Sequence, residues 1–183
     1  MEVANLAQRA MAGETAATEE LLRELQPFVV RAVRLIVGST SPAAEDAAQE
    51  ALLDISRGLK GLRDPRAVRA WAIRVASQRA LKVARRERLR LGRFGPSLEE
   101  PAFFGPDGDR RAAIKECFDR LPPRLRATAV LRLHLGLTEQ ETAEAMGCSV
   151  GTVKSNLHDA RRQLTSALAE RGFSPMTSPK EVL

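Results

Sequence analysis

Aromatic side chains are scarce in this chain, with six phenylalanines, one tryptophan and no tyrosine among 183 residues. Alanine, leucine and arginine dominate instead, which favours helix over strand, and no alternating strand-like run of useful length occurs. Cysteine is nearly absent. Cys117 and Cys148 are the only two; neither sits in a CxxC pair, and with His134 and His158 they match no zinc spacing. No apolar stretch approaches the ~20 residues of a membrane span. The opening MEVANLAQRA lacks the basic start and apolar block of a signal peptide. A glycine-rich phosphate loop, a nucleophile elbow and a paired-carboxylate arrangement are also missing. These absences argue against an enzyme, a metal site, a cofactor and membrane insertion, and they place the chain in the cytoplasm.

What is present is positive charge, concentrated in one place. The formal charge is +6, yet residues 1–56 carry a net −5 and residues 94–183 a net of zero. Residues 57–93 hold 13 basic and 2 acidic side chains, a net of +11. A generic basic protein would spread its excess. Concentration on one segment points to phosphate contact.

Along the chain, a first helix over about 3–12 precedes Gly13 and a longer helix over 15–37, with Leu21, Leu22, Leu25, Phe28, Val29, Ala32 and Ile36 as its apolar stripe. Ser41-Pro42 opens a third, proline being harmless in a first turn, and Ala44, Ala47, Ala48, Ala51, Leu52 and Ile55 form its inner face. Asp46, Gln49 and Glu50 lie on its other faces. Breakers Gly58, Gly61 and Pro65 follow. A long basic helix then runs over about 67–91, with Val68, Ala72, Val75, Ala76, Ala80 and Val83 inward and Arg74, Gln78, Lys82 and Arg85 on another side. Residues 92–110 have the glycine, proline and acid content of a linker, with Phe94, Phe103 and Phe104 as candidates for docking. A second helical unit begins near Arg111, is broken by Pro122-Pro123 and resumes over 124–135. The expectation is an all-α protein of two small helical domains, residues 1–91 and 111–170, joined by a flexible linker. Residues 171–183 read as a disordered tail.

The segment LTEQETAEAMGCSVGTVKSNLHDARRQL, residues 137–164, reads as a helix-turn-helix. Thr138 caps the first helix, and Glu141, three residues on, completes a capping box. Gly147 stands where a left-handed helix stop needs a residue without Cβ. Ser149 caps the second helix, whose Val150, Val153, Leu157, Ala160 and Leu164 keep helical spacing. Its outward positions carry Gly151, Thr152, Lys154, Ser155, Asn156 and His158, then Arg161 and Arg162. Short hydrogen-bonding side chains come first and long cations later, the order a recognition helix needs for base edges and flanking phosphates. An ordinary antiparallel helix pair with a solvated face is the bland alternative; caps, turn glycine and polar face together favour DNA.

Four stretches in order, LAQRAMAGETAATEELLREL, SPAAEDAAQEALLDI, LRDPRAVRAW and LPPRLRATAVLRLHLGLTEQETAEAMGCSVGTVKSNLHDARRQL, resemble a bacterial RNA polymerase sigma factor of the extracytoplasmic-function group. The resemblance covers about residues 6–170. It implies a specificity subunit whose first domain binds core polymerase and opens the −10 element of promoter DNA, and whose second reads the −35 element. By position, Asp46, Gln49 and Glu50 meet a coiled coil of the largest polymerase subunit. Residues 63–70 form the loop that captures a flipped −10 base, with Arg63, Arg66 and Arg69 charged and Trp71 anchoring it. Gln78 contacts −10 DNA, its amide suited to adenine, while Arg74, Lys82, Arg85 and Arg86 neutralise phosphates. Thr152, Lys154, Ser155, Asn156, His158, Arg161 and Arg162 are the −35 candidates. The resemblance also implies an anti-sigma factor that holds the chain inactive.

Departures from the family pattern matter. Relatives commonly have arginine where Asn156 and Asp159 stand, and aromatics in the −10 loop are replaced by Leu62, Pro65, Arg66 and Val68. The expectations are a shifted −35 preference and feeble strand opening. A stand-alone helix-turn-helix regulator that does not initiate transcription is the competing reading.

Overall fold

A computed structural model describes residues 2–38, 41–94 and 106–173. Every α-, 3₁₀- or π-element in these stretches is helical, with no strand among the described residues. The order is α1 (Glu2–Met11), α2 (Thr15–Val37), α3 (Ala43–Gly58), α4 (Val68–Phe94), α5 (Pro106–Arg120), α6 (Pro123–Ala129), α7 (Glu139–Met146) and α8 (Val150–Ala169). Short 3₁₀ turns at Leu59–Gly61 and Pro65–Ala67 link α3 to α4, and a π-helical turn, Val130–His134, follows α6.

The first unit packs α1, α3 and α4 around α2. Leu21, Leu25, Val29, Ala32, Val33 and Ile36 recur at helical spacing and are buried along α2. Facing them, α3 buries Ala44, Ala47, Ala48, Ala51 and Ile55. Small residues there let the backbones approach closely, while each fully buried leucine or isoleucine contributes about 1.5–3 kcal/mol. Asp64 ends the connecting loop by accepting from the Arg66 backbone N–H at 2.9 Å, with Pro65 in the first turn.

α4 is buried more broadly than its sequence suggests. Val68, Ala72, Ala76 and Ala80 are inward as expected, whereas Val75 and Val83 are only half-buried. Ile73, Ser77, Leu81 and Ala84 are buried as well. The reason is that α4 is covered from two sides, by α2 and α3 and also by α6 and α7 of the second unit. Ala127, Val130, Leu131, Ala145 and Met146 of that unit join the first unit's core. A second, smaller core holds Cys117, Phe118, Leu121, Ala129, Ala160 and Leu164.

Boundaries differ in detail from the sequence reading. α4 continues to Phe94 and α5 starts at Pro106 rather than near Arg111; proline's fixed φ suits a first helical position. Residues 171–173, read as the start of a disordered tail, instead close α8. Gly172 takes φ 79° and the Phe173 N–H donates to the Leu168 carbonyl at 3.0 Å. Arg171 folds back onto Glu116 at 2.7 Å. Phe103, Phe104 and the tail from residue 174 lie outside the described residues.

Candidate nucleic-acid interface

The turn between α7 and α8 is built by local hydrogen bonds. Thr138 Oγ1 accepts from the Glu141 N–H at 3.1 Å while Glu141 Oε2 accepts from the Thr138 N–H at 2.7 Å, a reciprocal capping box. That backbone donor, helped by the Thr138 hydroxyl, holds the Glu141 carboxyl below the usual glutamate range. Gly147 takes φ 61° and ψ 49°, and the Cys148 N–H returns to the Ala143 carbonyl at 3.0 Å. Ser149 Oγ then accepts from the Thr152 N–H at 3.1 Å to start α8. Arg132 donates to the Leu137 carbonyl and so steadies the approach to the first cap.

α8 buries Val153, Leu157, Ala160 and Leu164 and turns the opposite face to solvent. Lys154, Ser155, His158, Arg161 and Arg162 are exposed. Thr152 and Asn156 are half-buried. The Thr152 hydroxyl is engaged with Ser149 Oγ at 2.9 Å, and Asn156 Nδ2 is buried without a partner. Two cations are already paired: Lys154 with Glu139 at 3.6 Å and Arg162 with Asp159 at 3.2 Å. Exposed pairs of this kind are worth at most about 1 kcal/mol, so phosphate can displace them.

A second cationic surface lies on the first unit. Arg74, Gln78, Lys82 and Arg85 form one exposed row on α4, with exposed Arg86 beside it. Arg63, Arg66 and Arg69 are exposed on the preceding loop and first turn. Asp64 engages the Arg66 side chain at 3.1 Å. Trp71 is half-buried, its ring seated on Gly58: a Cβ added there would lie 2.7 Å from Trp71 Cζ2.

On α3, Asp46, Gln49 and Glu50 are exposed on one face. Sequence reasoning missed what holds that face. Arg79, from α4, donates to Glu50 Oε2 at 2.9 Å and to Asp54 Oδ2 at 3.1 Å. Partners separated by 29 and 25 residues leave no local signal for this clamp.

The two units are joined by Arg126, and a groove runs between them. Arg126 is 6% exposed and donates to the carbonyls of Ile36 and Val37, each at 2.8 Å, and of Asp119 at 3.0 Å. Arg74 lines a groove of about 620 Å³ together with Gln140, Ala143, Glu144, Gly147, Cys148 and Ser149. Thus a cation of the α4 row stands at the turn that precedes α8. Cys117 is buried, and burial pushes its thiol up, away from the reactive thiolate.

Comparison with known proteins finds two family matches: sigma-70 region 2 over residues 21–90 and sigma-70 region 4 over residues 111–164. The ECF RNA polymerase sigma factor SigM of Mycobacterium tuberculosis is 32% identical over 164 residues, 86% of this chain and 80% of its own. CnrH, solved in complex with the cytosolic domain of CnrY, superposes with a TM-score of 0.66 at 21% identity, covering 93% of this chain and 99% of that one. The sigma factor RpoE, solved with the anti-sigma factor NepR from Bartonella quintana, gives 0.64 at 19% identity, covering 82% and 96%.

Proposed function

This chain belongs to the extracytoplasmic-function group of the sigma-70 family, and so directs RNA polymerase to promoters and initiates transcription; from that premise we propose how its surfaces divide the work. Residues 1–91 bind core polymerase and the −10 element, residues 111–170 read the −35 element, and residues 92–110 link them. Asp46, Gln49 and Glu50 meet the coiled coil of the largest polymerase subunit, Glu50 exchanging Arg79 for a cation of the partner. Arg63, Arg66, Arg69, Arg74, Gln78, Lys82, Arg85 and Arg86 engage −10 DNA. Thr152, Lys154, Ser155, Asn156, His158, Arg161 and Arg162 engage the −35 duplex. The chain supplies no catalytic group of its own and acts in the cytoplasm; no helix among the described residues is long and apolar enough to cross a membrane.

The observation that carries this reading is α8, which presents short hydrogen-bonding side chains before its cations, behind two capped turns, on the same chain as a +11 segment. The elements it serves lie roughly 25 base pairs apart, about 85 Å of duplex at about 3.4 Å per pair. In the described arrangement α4 touches α7, so promoter engagement must part the units. The packed form suits an inhibited state, and the RpoE complex with NepR supports an anti-sigma factor as its partner.

The test is reconstitution with core polymerase on a library of genomic fragments. Specific transcripts that disappear with Asp46→Lys plus Glu50→Lys, and change their start sites with Lys154→Ala plus Arg161→Ala, are the expected result. Binding to DNA without core, and no transcript with it, would establish the regulator reading instead.

A further inference from the structure

Glu50 does not stand free on the face assigned above to the polymerase. Arg79 of α4 divides its guanidinium between two carboxylates of α3, Nη1 donating to Glu50 at 2.9 Å and Nε to Asp54 at 3.1 Å. Nη2 also donates to Asp54. The division is unequal. Asp54 takes two of the three bonds and, ahead of Glu50, holds the Arg79 guanidinium above its ordinary value. Exposure is unequal too: the Glu50 side chain is 56% open to solvent and that of Asp54 35%. Leu53, one of three large apolar side chains exposed among the described residues, follows Glu50 by three positions and so neighbours it on the helix surface. A partner that covers Leu53 therefore takes the Glu50–Arg79 pair out of water as well.

We propose that Arg79 competes with core polymerase for Glu50, and that Asp54 keeps Arg79 paired when Glu50 is given up. The proposal rests on the assignment of Glu50 to the polymerase and deepens it: Arg79 and Asp54 become positioning residues that set how tightly core is held. One exposed bond to Glu50 is worth little in water, so a cation of the partner can displace it. With Glu50 as its only partner, Arg79 would then be left as an unpaired charge under the docked surface, which is strongly unfavourable. The two bonds to Asp54 remove that obstacle. Glu50 and Asp54 also stand four residues apart, where like charges repel on a helix, so Arg79 steadies α3 in the free chain. The face is thus set for weaker core binding than its carboxylates alone would give.

The test measures binding of the full chain to immobilised core RNA polymerase by interferometry, with thermal melts to verify folding. Arg79→Met keeps the length of the side chain and removes its charge. It should tighten core binding up to about 5-fold, the worth of one exposed pair, and the gain should vanish when Glu50→Gln is added. Asp54→Asn should weaken core binding, because Arg79 then clings to Glu50, and adding Arg79→Met should rescue it. A merely structural role predicts neither the lost gain nor the rescue. Should Arg79→Met melt too low to assay, Arg79→Lys keeps the cation but cannot fork across both carboxylates, and it should give part of the gain. Weaker core binding by Arg79→Met overturns the proposal, since Arg79 would then be orienting Glu50 for the partner. A gain that survives in Glu50→Gln overturns it in favour of a general charge effect, and an Asp54→Asn loss without rescue shows Asp54 touching polymerase itself. Asp46→Lys plus Glu50→Lys separates the two levels. Loss of core binding there, with parent affinity in Arg79→Met, sinks the competition alone; full binding there sinks the polymerase assignment with it.

Discussion

Arg126 Nε donates to the carbonyl of Ile36 at 2.8 Å, across 90 residues of chain. Its Nη2 does the same to Val37. Those carbonyls end α2, where a helix leaves acceptors without partners and the dipole favours a cation. A buried guanidinium would be unfavourable alone, and burial does push Arg126 down from its ordinary value. It stays charged because an arginine starts so high. One side chain of the second unit therefore closes a helix of the first.

Arg126→Ala should weaken the chain by about 3 kcal/mol, since it strands helix-end acceptors that a charged donor now satisfies. It should also let the units part. Chemical denaturation measures the first effect and the radius of gyration in small-angle scattering the second. An unchanged radius with unchanged stability would mean that the shared core around Ala127, Val130, Leu131 and Met146 holds the units without the clamp.

Acid should loosen the cap that opens the helix-turn-helix. The Glu141 carboxyl is held below its ordinary value by the Thr138 N–H. A group whose folded pKa is lowered adds stability above its unfolded pKa and loses it as pH falls through the folded value. Stability should therefore fall below the ordinary glutamate range, and Thr138→Val should flatten part of that dependence by removing the hydroxyl half of the box. At neutral pH the same variant should lose about 1 kcal/mol, the usual worth of such a cap. Denaturation midpoints measured across the acid range would show both.

Gly58→Ala sets two effects against each other. Replacing a helical glycine gains up to about 1 kcal/mol, but the new Cβ would sit 2.7 Å from Trp71 Cζ2. Overpacking against a ring typically costs about 1–3 kcal/mol, so a net loss is expected. Trp71 is the chain's single tryptophan, and its emission should shift as the ring is displaced. A more stable variant with unmoved emission would show that the ring has room to slide.

Local features were legible from sequence, and non-local ones were not. Thr138, Glu141, Gly147 and Ser149 act within a few residues of themselves, so their pattern alone marks the helix-turn-helix. Leu21, Leu25, Val29 and Ile36 follow from spacing in the same way. Ile73, Ser77, Leu81 and Ala84 did not, because α4 is covered by α6 and α7 as well as by α2 and α3. The Arg79 clamp on Glu50 and Asp54 and the Arg126 clamp on α2 both join residues tens of positions apart. The widened π-helical turn at Val130–His134, where the Leu135 N–H reaches the Val130 carbonyl at 2.9 Å, also read as ordinary helix.

Asp159 is the departure whose consequence for DNA is most direct. It occupies Arg162 at 3.2 Å on the outward side of α8, and an aspartate there also repels phosphate. Asp159→Asn removes the repulsion and frees a cation at once, with little change in stability because the pair is exposed. Non-specific duplex binding should tighten. The slope of log affinity against log salt should steepen by about 0.9 if Arg162 gains one phosphate. Titrating a mixed-sequence duplex at several potassium chloride concentrations measures that slope, and Asp159→Arg should steepen it further. If both variants keep the parent slope, this side of α8 does not face the duplex, and the −35 surface must be rebuilt around Lys154 and Ser155 alone.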